Sequence, residues 1–111
     1  MPKKATVKKI NSKKKGSRGE LELAHFLTDH GFVARRGMQF QGTPESPDII
    51  CDSLSQFHIE CKRTERGNLY NWLWQADKDR SENQIPVVMH RRSDQEWVAI
   101  LKLENFLKVI K

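Results

Sequence analysis

Apolar residues along the chain follow two spacings, and each change of spacing marks an element. In KGSRGELELAHFLTDHGF, Leu21, Leu23, Ala24, Phe26 and Leu27 form one face at helical spacing. Ser17 is the expected N-cap of this helix, with Glu20 three positions later as in a capping box, and Gly31 is its expected stop. FVARR reads as a short strand, and GMQFQGTPESP, with its Gly and Pro residues, as a loop. PDIICD and QFHIECKR are rich in β-branched and aromatic residues and predict two strands joined by a turn near Ser53, Leu54 and Ser55. LYNWLWQADKDRSE predicts a second helix with Leu69, Trp72, Leu73 and Ala76 on one side. Pro86 opens the strand PVVMHRR, Ser93 and Asp94 separate it from the strand EWVAIL, and LENFLKVI closes as a short helix. The order α-β-β-β-α-β-β-α alternates rather than clusters, which favours an α/β fold with a mixed central sheet flanked by helices.

The central pair of strands carries the candidate chemistry. Strand side chains alternate between faces, so His58, Glu60 and Lys62 share one face, and Asp48, Ile50 and Asp52 share a face of the preceding strand. A turn centred on Leu54 sets Asp48 directly opposite Glu60, with Cβ atoms roughly 5 Å apart. Two carboxylates that close repel unless positive charge lies between them. A divalent cation with oxygen ligands answers that need, and Mg²⁺ requires only one or two carboxylates beside substrate phosphate. An adjacent ammonium group, Lys62, can orient or deprotonate an attacking water. The chemistry implied is phosphodiester hydrolysis. Ile49, Cys51, Phe57, Ile59 and Cys61 point the other way and read as core, with both cysteines acting as small hydrophobes rather than reactive thiols. The alternative is bland: Asp48 as a turn residue, and Glu60 with Lys62 on a solvated strand face.

Charge then narrows the partner. The net charge is +6 over 111 residues. Residues 1–18 hold eight basic residues and no acid, which leaves 12 basic and 14 acidic residues in the body, so a tail of +8 precedes a body of −2. Residues 1–14, Lys-rich and poor in apolar side chains, read as a disordered basic arm. Such an arm points to a polyanion, with nucleic acid favoured over a solubilising tail or localisation signal. No run of 18 apolar residues and no secretory h-region is present, and the two cysteines lack zinc or redox spacing. The expectation is an intracellular protein, in cytoplasm, nucleoid or a phage-infected cell, with no membrane partner. The four histidines are too scattered for a zinc site.

At Asp48, Glu60 and Lys62 the chain resembles the PD-(D/E)XK nuclease superfamily, and within it the archaeal-type Holliday junction resolvases and their phage-borne relatives. The resemblance covers roughly residues 15–100 and rests on KGSRGELELAHFLTDHGF, SPDII, IECK and LYNWLWQ. It implies a restriction-endonuclease-like α-β-β-β-α-β core in a nuclease domain over residues 15–111. It also implies that Asp48 and Glu60 bind metal, that Glu20 supplies a further ligand or a supporting acid, and that Lys62 positions the attacking water. Gln75, after Leu69 and Tyr70, would assist from the second helix. Ser46 is a softer match. The implied cofactor is Mg²⁺, with Mn²⁺ able to substitute. The implied assembly is a homodimer cutting two strands of a four-way DNA junction in recombination.

Lys13, Lys14, Lys15, Arg18, Arg35, Arg36, Arg63 and Arg66 are the candidate DNA contacts. Trp74 reads as core or a dimer contact ahead of a base-stacking group. The rival readings are a nuclease of the same chemistry acting on linear duplex or single strands, a non-catalytic DNA-binding module, and a nucleoprotein in which only the arm matters.

Overall fold

A computed structural model describes residues 2–37 and 47–111, with side chains from residue 16 onward. The first helix, α1 (Pro2–Asp29), is longer than its apolar face predicts. Proline is tolerated at a first helical position, lysine is a good helix former, and no Gly or Pro interrupts residues 3–15. The stretch read as a disordered arm therefore coincides with helical backbone. Ser17 lies inside the helix instead of capping it, and its hydroxyl accepts from Arg36 Nη2 at 3.3 Å. The stop falls where expected. Gly31 has φ +90°, its N–H donates to the Thr28 carbonyl, and Phe32 N–H donates to the Leu27 carbonyl, which is a Schellman closure.

The remaining elements are β1 (Arg35–Arg36), β2 (Ile49–Ile50), β3 (Phe57–Arg63), α2 (Leu69–Asp79), β4 (Ile85–Arg91), β5 (Val98–Ile100) and α3 (Leu103–Ile110). All eight elements of the α-β-β-β-α-β-β-α order are present. The sheet runs β1-β2-β3-β4-β5; β3 and β4 are parallel, joined through α2, and every other pair is antiparallel. This is the mixed sheet flanked by helices, with the α-β-β-β-α-β core that the sequence implies. β1 and β2 are shorter than expected. A 3₁₀ turn takes up Asp52–Leu54, so Asp52 leaves the strand and does not share a face with Asp48. The loop expected after Arg36 falls mostly on residues 38–46, outside the described residues, as does Ser46.

Strand alternation gives the sheet two distinct faces. Ile49, Ile59 and Val87 turn toward α1 and bury against Leu23, Ala24 and Leu27. Val88 turns the other way, against Leu73 and Ala76 of α2. Asn68 caps α2, its Oδ1 accepting from Tyr70 N–H (3.0 Å) and Asn71 N–H (3.2 Å). Leu69 is exposed rather than packed inward, whereas Trp72 is partly buried against the α2-side core. Helix α3 has no buried residue, although Leu103, Phe106, Leu107, Val109 and Ile110 are all apolar.

Candidate active site

The site begins with backbone. Asp48 N–H donates to the Ile59 carbonyl (3.1 Å), while the Asp48 carbonyl accepts from Gly37 N–H (2.8 Å). The residue is thus held on both sides, by β3 and by the end of β1. Gly37 allows this closeness, because a Cβ there would collide with the Pro47 carbonyl oxygen. Ile49 pairs with Ile59 in an antiparallel register, so one step outward sets Asp48 opposite Glu60 on the same side of the sheet. The sequence places the pair at the same register.

Asp48 is a constrained carboxylate. Its Oδ2 accepts from Cys61 N–H at 2.8 Å. Burial pushes its pKa up to about 7, the Glu60 charge and a hydrogen bond shared with Glu60 push the same way, and the Cys61 N–H pulls it down. The Glu20 charge adds the smallest push, which brings the third acid into the same field. Glu20 comes from α1, the opposite layer, and its Oε1 meets Arg36 Nε at 3.1 Å. Arg36 therefore neutralises the outermost acid of the group while also bonding Ser17.

Glu60 is flanked by a second group. Its Oε1 lies 3.5 Å from His58 Nε2. His58 is only 1% exposed, and its Nε2 has no hydrogen-bond partner among the described residues. Lys62 follows Glu60 by two positions and shares its face, in register with His90 of β4. It makes no ion pair among the described residues. Cys61, between them, turns toward the α1 side and packs on the core there. Burial and the neighbouring carboxylates push its thiol well above the usual range, which keeps it protonated and inert.

Gln75 does not touch these groups. Its Nε2 donates to Asp79 Oδ2 at 3.0 Å, on a helix whose buried residues face the same layer as Glu60. Arg63 is engaged by Glu22 Oε1 (3.1 Å) and Glu65 Oε2 (3.3 Å), and Arg91 also pairs with Glu22. Arg18, Arg35 and Arg66 are exposed, and the side chains of Lys13, Lys14 and Lys15 lie outside the described residues. Trp74 is not core: it is 64% exposed, with Lys78 Nζ 5.1 Å from its ring centroid. Two participants escaped sequence reasoning, the Arg36 link to Glu20 and Asp79, whereas His58 was already placed on the face of Glu60. Burial of His58 follows from its inward strand position, the Arg36 link to Glu20 spans sixteen residues, and Asp79 sits on the buried stripe of α2. Of the two that escaped, Asp79 had a signal in the sequence, since it lies three positions after Ala76.

A metal fits part of this arrangement. Among the described residues no three His, Cys, Asp or Glu side chains converge into a ready-made cage. Asp48 and Glu60 nevertheless stand opposite each other and share a hydrogen bond, and both are oxygen donors. That donor chemistry suits a hard cation such as Mg²⁺ and not zinc. No helix among the described residues is long and apolar enough to cross a membrane.

Comparison with known proteins agrees with the strand geometry. The model of a family described as "Phage putative PDDEXK endonuclease" matches residues 11–111. No curated protein and no solved structure matches the chain. With an α-β-β-β-α-β core and an acid after proline facing an acid of Glu-x-Lys, the chain belongs to this PD-(D/E)XK phage endonuclease family.

Proposed function

We propose that the protein is a metal-dependent endodeoxyribonuclease that hydrolyses phosphodiester bonds in branched DNA, with a Holliday junction as its favoured substrate. The observation that carries the reading is the opposition of Asp48 and Glu60 across β2 and β3, with Lys62 next on the same face. Asp48 and Glu60 would hold Mg²⁺ or Mn²⁺, with Glu20 as the third acid once Arg36 releases it. Bound there, a divalent ion supplies charge stabilisation at the scissile phosphate and a more acidic water. The chain's own groups do the rest. The Cys61 N–H fixes the orientation of Asp48, Lys62 orients the attacking water through its ammonium group, and that same charge offsets the negative charge that builds on the phosphoryl oxygens. In-line attack releases the 3′-oxygen and leaves a 5′-phosphate. Gln75 assists from α2, where it holds the buried Asp79. Lys13, Lys14, Lys15, Arg18, Arg35, Arg36, Arg63 and Arg66 supply phosphate contacts, of which Arg63 is the least available because it is already paired.

A homodimer accords with the exposed apolar face of α3 and α2. Leu103, Phe106, Leu107 and Ile110 sit at i, i+3, i+4 and i+7, and Tyr70 and Trp74 of α2 are exposed as well. A helix of eight residues holds poorly without packing, which makes an uncovered amphipathic α3 a natural contact.

A cleavage panel tests the reading: four-way junction, flap, fork, linear duplex and single strand, each with Mg²⁺ and with chelator. Symmetric paired nicks confined to the junction and lost with chelator are expected. Equal digestion of every substrate would replace junction selectivity with general DNA hydrolysis, and no cleavage of any would leave a DNA-binding module.

A further inference from the structure

We infer that His58 is a positioning residue for Glu60: an imidazole whose Nε2–H holds the carboxylate in its metal-binding orientation. The inference rests on the metal reading of the site and goes beyond it, since His58 belongs to no motif of the chain. Three observations carry it. His58 is 1% exposed, yet its Nε2 has no hydrogen bond among the described residues. A buried polar atom without a partner is costly, and an apolar side chain would fill the position without that cost. Among the described residues, the acceptor placed near it is Glu60 Oε1, at 3.5 Å on the same face of β3. Two other histidine rings behave differently: the exposed His30 Nδ1 lies 2.8 Å from the Phe26 carbonyl and the partly buried His90 Nε2 lies 3.0 Å from the Thr64 carbonyl. Among the described residues, His58 alone turns a buried nitrogen toward a carboxylate.

The surroundings fix the role. In the parallel register His58 pairs with Pro86, whose backbone offers no N–H, and the α2-side layer nearby consists of Leu73, Ala76 and Val88. Asp79, the buried acid of that layer, is bonded to Gln75. Glu60 is thus drawn from two sides, by Asp48 through a shared hydrogen bond and by His58. Carboxylates that bind metals are generally held by such outer partners, whose loss costs about 10–100-fold in metal affinity.

The test is calorimetric titration of the full chain with Mn²⁺, without DNA, comparing wild type, His58→Gln and His58→Leu. Gln keeps a donor near the Nε2 position, and Leu keeps only the volume. Affinity in His58→Leu should fall about 10-fold or more, and His58→Gln should recover most of the loss. In wild type, nitrogen NMR of the His58 ring should show Nε2 protonated both before and after Mg²⁺ is added, with its resonance moving as the site fills. This second readout stands even where His58→Leu fails to fold. Equal Mn²⁺ affinity in all three proteins, or an Nε2 without a proton, overturns the inference and leaves the metal site intact. No Mn²⁺ binding by wild type overturns the metal reading itself, and this inference with it.

Discussion

The raised pKa of Asp48 makes a stability prediction at the scale of one residue. The ordinary value of 3.8 rises to about 7 in the fold, chiefly through burial and the Glu60 charge. The folded state therefore prefers the protonated acid. Its ionised form costs stability that is fully felt above pH 7 and is relieved as pH falls toward 4. Asp48→Asn removes this cost while keeping an acceptor for the Cys61 N–H. In metal-free protein it should raise stability by on the order of 2–3 kcal/mol at pH 8 and change little at pH 4, as denaturant titrations at the two pH values would show. A loss of stability at pH 8 would mean that the carboxylate is structural. This pair was legible beforehand because it depends only on strand parity and turn centre. The Arg36 link to Glu20 was not, because ion pairs between α1 and a two-residue strand leave no periodic trace.

At the scale of the element, the site depends on how β1, β2 and α2 are anchored. Gly37→Ala should be damaging, because Gly37 is buried and the new methyl meets the Pro47 carbonyl oxygen beside Asp48. The expected result is a protein destabilised by about 1–3 kcal/mol in denaturant titration, with weakened Mn²⁺ binding. Unchanged values for both would show that the strand entry adjusts freely. Asn68→Ala removes the acceptor for two N–H groups at the start of α2 and should cost about 1 kcal/mol without altering metal affinity. Element order was readable throughout, and α3 matched over Leu103–Ile110 because its periodicity is strong. Boundaries failed where two structures compete. A lysine-rich segment suits a helix as well as an unfolded arm, and Asp52–Leu54 prefers a 3₁₀ turn to more strand.

At the scale of the whole molecule, charge and apolar surface are separated. Eight of the 20 basic residues, with no acid among them, fall in the first 18 positions, and a run of exposed apolar side chains lies on α3 at the other end of the chain. Removing residues 1–14 should weaken DNA binding and flatten its dependence on salt without moving the cut position. An unchanged salt slope would show that the segment does not meet phosphate. Replacing Phe106 and Leu107 with Glu should convert a dimer to monomer in sedimentation analysis, while a monomeric wild type would remove the dimer from the account. Neither property follows from the fold, since a mixed sheet between helices hosts many activities.

The central claim is that Asp48, Glu60 and Lys62 act together on a DNA phosphodiester with a divalent ion. The most direct measurement is cleavage of a labelled four-way junction by wild type, Asp48→Asn and Lys62→Ala, each with Mg²⁺ and with chelator, alongside junction binding by the same proteins. The account predicts Mg²⁺-dependent nicks by wild type alone, with activity in both variants down by at least about 100-fold and binding largely kept. Cleavage at the wild-type rate by either variant, or by wild type in chelator, would contradict it.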